Sequence, residues 1–288
     1  MTYSIVARCP ESGQFGVAVQ SHWFGAGVVC WAKAGVGAVA TQAMALIDHG
    51  PLGIELMEGG MQSVGAMKLR LSQDPSPEIR QVAMIDASSR ISVHTGSKTI
   101  PESGHLVGDG FSCQANMMWK STVWEVMSEA FVGTNGDLAT RMLAALHAAE
   151  SEEGDIRGKQ SARLLVVDSD LQTNPWEGTI VDIGVDDHQE PLMELDRLLK
   201  MHNEYVNLKY IHGGEKSKIY QTKIPEIAFW KSIELVESGQ FSQARELASI
   251  AFEDHSGWEE LLRRCAKNGL AGISDITVKT LLSADHEE

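Results

Sequence analysis

The chain has 288 residues, 43% of them hydrophobic, and a formal net charge of −15 at pH 7. That length and composition suit a globular protein of one large or two ordinary domains, with enough apolar residues for a sizeable core. A chain this acidic repels phosphate backbones, so nucleic acid and anionic membrane are poor partners, and no run approaches the roughly 18 apolar residues of a membrane span.

The chain opens on strands. Thr2–Ala7 and Phe15–Gln20 are apolar runs around a Pro10-Glu11-Ser12-Gly13 turn, a β-hairpin signal. Val28–Ala32 and Gly37–Gln42 continue the pattern, and their many Gly and Ala residues point to close packing. Pro51–Met57 reads as a helix ending at Gly59-Gly60, and Ser63 as the N-cap of a second helix from Val64 to Ser72. Val82–Asp86 and Arg90–Thr95 form another hairpin. Gly104–Gln114 reads as a single alternating strand leading to a helix over Ser121–Phe131. Asp137–Glu150 is amphipathic, with Leu138, Met142, Leu143 and Leu146 on one face. Ser161–Val167 and Ile180–Val185 are strands.

Antiparallel hairpins alternating with blocks of helix indicate a layered α+β fold. After about residue 189 the composition changes. Leu192–Tyr205 looks helical, Gly213–Lys223 reads as a polar linker, and four short helices follow: Pro225–Glu237, Phe241–Phe252, Trp258–Lys267 and Ser274–Leu282. The expected organisation is a core over 1–188 and a helical domain over 189–288. Trp230, Phe241, Phe252 and Trp258 fall at helical spacings that suit a packed core.

Cys9, Cys30, Cys113 and Cys265 form no C-x-x-C pair, and no basic-then-apolar leader opens the chain. Both features point to reduced thiols in a cytoplasmic protein. The ten histidines form no H-x-x-x-H or H-E-x-x-H, and neither a dinucleotide-binding glycine fingerprint nor G-x-S-x-G is present. No metal or cofactor is expected.

Several residues could carry chemistry. A threonine hydroxyl needs a base, and the α-amine of a chain-terminal threonine supplies one, with a pKa of roughly 7.7–8.0. Thr2 follows Met1, and its small side chain is compatible with removal of that methionine. A retained Met1 would leave the Thr2 nitrogen acylated and useless as a base. If the first two strands pair, Ser21 lies near Thr2 and can orient the amine or the substrate. His22 is a polar substrate contact or a loop histidine. Gln42, Gln114 and Asn116 lie at strand ends, where they can donate to an oxyanion or satisfy backbone groups. In the stretch from Asp155 to Ser161, Arg157 can clamp a substrate carboxylate, with Asp155 fixing it or binding an ammonium. Gln160 and Ser161 complete this polar lead into an apolar strand.

Taken together, "TYSIVA", "GVAVQSHWFGAG", "AKAGVGAVATQA", "HTG", "GDGFSCQANMM" and "GDIRGKQSARLLVV" resemble the DUF1028 family over roughly residues 2–185. That family is similar in fold to the N-terminal nucleophile (Ntn) hydrolases. The resemblance implies a four-layer αββα sandwich. "TYSIVA" is similar in character to the threonine-first strand of the isoaspartyl peptidase and asparaginase branch. It implies Thr2 as nucleophile, with Ser21, Gln114 and Asn116 as catalytic partners. His22, Gln42, Asp155, Arg157, Gln160 and Ser161 would then bind substrate. The expected reaction is hydrolysis of an amide or related C–N bond in a small carboxylate-bearing molecule. The alternative is a non-catalytic module that binds a metabolite or assembles with a partner, for example as a homodimer. The tail resembles a domain, described as peptidoglycan-binding, that follows the core in some members; partner binding or oligomerisation is the other reading of it.

Overall fold

A computed structural model describes residues 2–174, 176–211 and 222–283. The chain divides into two compact units, Met1–Lys200 and Met201–Glu288. It is a mixed α+β protein with two antiparallel sheets and, among the described residues, nine α-helices.

In the first unit, β1 (Thr2–Arg8) and β2 (Phe15–Ser21) form the opening hairpin. β3 (Cys30–Lys33) and β4 (Gly37–Ala43) form a second. Two helices follow, α1 (His49–Glu58) and α2 (Ser63–Ser72). α1 starts two residues earlier than the sequence suggests, because Pro51 fits a first helical turn, where no intrahelical N–H bond is required. Ser63 does not cap α2 but is its first residue. Its N–H donates to Asp86 Oδ2 at 2.9 Å and its hydroxyl to the Arg90 carbonyl at 2.8 Å. A distant carboxylate thus takes the place of a local cap.

β5 (Arg80–Asp86) pairs with β4 and with β6 (Ile91–Thr95), which closes a four-stranded sheet of order β3-β4-β5-β6. The expected single strand over Gly104–Gln114 is two strands, β7 (Gly104–Gly108) and β8 (Phe111–Asn116). They turn at Asp109-Gly110, where Gly110 has φ 73°. The alternation continues unbroken through that turn, so periodicity alone does not reveal it.

After α3 (Val123–Gly133) and α4 (Leu138–Ser151), the chain adds β9 (Ser161–Val167) and β10 (Thr179–Val185). Asp137 caps α4 by accepting from the Thr140 N–H at 2.8 Å. These strands complete a six-stranded sheet of order β10-β9-β2-β1-β8-β7. α5 (Pro191–Ile211) follows, and its Leu192, Leu195 and Leu199 join the core of this unit.

Side chains alternate between the two faces of each strand. Tyr3, Ile5 and Ala7 of β1 and Phe111, Cys113 and Ala115 of β8 pack with Met127, Met142 and Leu146 of α3 and α4. Val39 of β4 and Val82 and Met84 of β5 pack with Ile54 and Met67 of α1 and α2. The opposite faces of the two sheets meet each other. One half of that inter-sheet layer is apolar, formed by Val6, Phe15, Val17, Val19, Ala38, Ala40, Ala83, Ile85 and Leu165.

The second unit contains α6 (Pro225–Glu237), α7 (Phe241–Asp254), α8 (Gly257–Asn268) and α9 (Asp275–Leu282). Phe229 is fully buried at its centre, with the Trp230 and Trp258 rings 5.1 and 5.2 Å away. Phe252 also packs against this core, whereas Phe241 is exposed, contrary to its expected core position. Most of the expected 213–223 linker, residues 213–221, lies outside the described residues, as does Met1. No helix among the described residues is long and apolar enough to cross a membrane.

Candidate active site

The other half of the inter-sheet layer is polar. On the same strand faces that are apolar further along, β1 presents Thr2 and Ser4, β8 presents Ser112, Gln114 and Asn116, β4 presents Gln42, and β5 presents Gln81. The last six of these are at most 1% exposed and Thr2 is 5% exposed. Strand register sets their order: Thr2 lies opposite Asn116, Ser4 opposite Gln114, and Gln42 opposite Gln81.

Burying so many amides is tolerable only if they bond to one another, and they do. Gln42 Oε1 accepts from Ser4 Oγ at 2.7 Å, and Gln114 Nε2 donates to that hydroxyl at 2.6 Å. Gln114 Oε1 accepts from Ser112 at 2.8 Å. Gln81 Oε1 accepts from Gln42 Nε2 at 2.6 Å and from Asn116 Nδ2 at 2.9 Å. Gln81 Nε2 reaches Thr95 Oγ1, the Gly104 carbonyl and the Ala115 carbonyl within 3.0 Å.

The network ends on Thr2. Its carbonyl accepts from both Gln42 Nε2 and Asn116 Nδ2 at 3.2 Å. Its hydroxyl donates to Ser21 Oγ at 3.1 Å. Thr2 is therefore held from three strands: β8 and β4 fix its backbone, and β2 orients its side chain.

Thr2 sits on the wall of a cavity of about 380 Å³ that Ser21, Gln42, Asn116 and Arg157 also line. β4 ends there at Ala43, whose φ of 67° is left-handed and turns the chain so that Met44, Ala45 and Ile47 continue the wall. A non-glycine residue in that conformation costs on the order of 1 kcal/mol.

The remaining candidates fall into two groups. Asp155, 2% exposed, grips Arg157 by two side-chain bonds, from Nε at 3.1 Å and Nη2 at 2.8 Å, and accepts from the Arg157 N–H at 2.9 Å. It also accepts from the His22 N–H at 3.4 Å. Asp155 is thus a buried brace behind Arg157, not a lining residue. Ser161 accepts from the Ala26 N–H at 3.0 Å and donates to the Trp23 carbonyl, pinning the segment whose Trp23 and Ala26 line the cavity. Gln114 lies beneath the cavity wall. His22 and Gln160 line a different hollow, with Lys159, Asp187 and His188, and Gln160 Nε2 donates to Asp187 Oδ1 at 3.0 Å.

The sequence reading missed Ser4, Ser112 and Gln81, the residues that complete the amide network. A signal existed: Ser112, Gln114 and Asn116 recur at every second position of a strand whose other face is Phe111, Cys113 and Ala115. It also missed Arg80, which lines the cavity and is held by Asp74, itself hydrogen-bonded to the buried His49.

All four cysteines are buried and unpaired with one another. Burial pushes the Cys30 thiol up to about 12 and raises Cys113 strongly, which disfavours the thiolate that a nucleophile requires. Among the described residues no group of three or more His, Cys, Asp or Glu is arranged to hold a metal ion.

No curated protein matches the chain. The crystal structure of protein SPO2555 from Silicibacter pomeroyi, described as a DUF1028 family model, is similar: 28% identity, TM-score 0.62, over 69% of this chain and 88% of that one. The model of the DUF1028 family, a family of unknown function, matches residues 2–195. The chain belongs to the DUF1028 family.

Proposed function

We propose that the first unit is an Ntn-type hydrolase of four-layer αββα architecture, with Thr2 as its nucleophile once Met1 is removed. The observation that carries this reading is the treatment of Thr2 itself. Its carbonyl is fixed by two buried amides and its hydroxyl by Ser21, all at the wall of a cavity. A strand that merely began at Thr2 would need no such support.

In this mechanism the free α-amine accepts the Oγ1 proton as Oγ1 attacks the carbonyl carbon of an amide. The tetrahedral intermediate collapses, the C–N bond breaks, and the departing nitrogen takes the proton from the ammonium. Water, deprotonated by the same amine, then cleaves the Thr2 ester and releases the acid. Ser21 orients the hydroxyl. Both Asn116 Nδ2 hydrogens have partners in the Thr2 carbonyl and Gln81, and Gln114 is bonded within the network. We therefore read these two amides as positioning Thr2, and not as the oxyanion donors their strand-end placement suggests. Arg157, stiffened by Asp155, would bind a substrate carboxylate.

The test combines intact mass with turnover of an amide panel. A Met1-free protein that hydrolyses a panel member, and a folded Thr2→Ala variant that does not, would support the mechanism. Undiminished turnover by Thr2→Ala would remove it. Retention of Met1 with no turnover would favour the metabolite-binding module.

A further inference from the structure

The cavity has a second guanidinium besides Arg157. Arg80 begins β5 and lines the same wall as Thr2. Its Nε donates to Asp74 Oδ2 at 2.8 Å, its Nη2 to Asp74 Oδ1 at 3.2 Å, and its Nη1 to the Met44 carbonyl. Those bonds use three of its five N–H donors. The Asp74 side chain is fully buried and bonded to the buried His49 Nε2 at 2.8 Å. A buried carboxylate therefore braces Arg80, as another braces Arg157.

Charge on the wall is one-sided. Among the described residues Arg80, Lys98 and Arg157 line the cavity and no Asp or Glu does, each cation being paired from outside the wall with Asp74, Glu78 or Asp155, although acids outnumber bases 39 to 24 in the chain. Chance would favour acidic lining here. Beside the polar patch of Thr2, Ser21, Gln42, Thr99 and Asn116, the wall carries large apolar side chains: Trp23, Val28, Met44, Ile47, Ile79 and Ile100. Five of these six are exposed, with Trp23 65% and Met44 59% accessible. Large apolar side chains gathered at one mouth mark a surface that is covered in use.

We infer that the cavity accepts an N-acylated amino acid with an apolar acyl chain of several carbons. The carboxylate lies on the braced Arg80 guanidinium and the acyl chain along the apolar side chains of the wall, Ile100 among them. The amide between them then falls at Thr2. The position of that amide rests on the Thr2 mechanism, but the ligand class can be tested by binding alone.

The experiment is calorimetric titration of the folded Thr2→Ala full chain with N-hexanoylglycine, N-acetylglycine and hexanamide. N-hexanoylglycine is expected to bind at least tenfold more tightly than either other probe, since each buried methylene is worth about fourfold in affinity and the third probe lacks the charge. Arg80→Gln is expected to weaken N-hexanoylglycine about tenfold and leave hexanamide unchanged. Should that variant unfold by leaving Asp74 unpaired, Ile100→Asp at the exposed rim replaces it, with the same tenfold loss expected. Equal affinity for all three probes, or binding of none, overturns the inference. Tight binding of N-hexanoylglycine to the Thr2→Ala chain, but no turnover by a Met1-free chain retaining Thr2, would instead count against the Thr2 mechanism alone.

Discussion

Gln81 does not itself line the cavity, yet replacing it should disturb Thr2 through Gln42 and Asn116. In Gln81→Leu the volume is roughly kept, so the cost is polar. Gln42 Nε2 retains the Thr2 and Gln114 carbonyls, and Thr95 retains His105. One Asn116 N–H and the side-chain bonds to the Gly104 and Ala115 carbonyls lose their partner. Each buried polar group left unsatisfied costs about 1–3 kcal/mol, and some relaxation is expected, so the total is about 3 kcal/mol. For a unit of this size that lowers Tm by roughly 6–12 °C. Urea unfolding followed by circular dichroism checks it: the midpoint should fall while the slope stays constant. A loss below about 1 kcal/mol would refute the reasoning, because the network would then not be what holds the two sheets at this end.

Three further outcomes are expected. Asp74 is held well below the usual carboxylate range, the Arg80 hydrogen bond being the largest cause that lowers it. Its contribution is present above about pH 4 and is lost as pH falls through its folded value. Asp74→Asn should therefore cost about 3 kcal/mol at pH 7 and flatten the acid limb of a stability–pH curve. Tyr3 is raised well above its ordinary value by burial first and by the Glu150 carboxylate second, to which its hydroxyl donates at 2.7 Å. Stability from the neutral phenol is complete below about pH 10 and declines above it as the unfolded chain ionises. Tyr3→Phe should lose about 1–2 kcal/mol at pH 7 and show a shallower alkaline decline. Finally, Cys30 and Cys113 should resist a disulfide reagent at pH 8 until denaturant is added; labelling of either at the rate of a free thiol would contradict their burial.

Local features of the fold were readable and distant ones were not. The Pro10–Gly13 turn was enough to pair β1 with β2, and that pairing brings Ser21 beside Thr2. Ser112, Gln114 and Asn116 alternate visibly, yet their partner Gln81 comes from the other sheet, and no local pattern encodes which sheet faces which. The same limit hides Asp86 as the acceptor at the start of α2, and His49 and Asp74 behind Arg80. Asp155 and Arg157 are adjacent enough to be read as a pair. Whether that pair was a solvated loop or a buried brace depended on the strands closing over it.

The amide network joins residues 2, 4, 42, 81, 112, 114 and 116, drawn from four strands of two sheets. Chain closure over such separations comes late in folding, and the apolar half of the inter-sheet layer can dock without waiting for side-chain hydrogen bonds. The polar half is then the last region to exclude water, and substitutions within it should speed unfolding more than they slow folding. Thr2 would acquire its fixed carbonyl only when both sheets are in place. A partly folded chain would carry the same hydroxyl without the geometry to use it, so under the proposed mechanism reactivity at Thr2 would be a marker of completed folding.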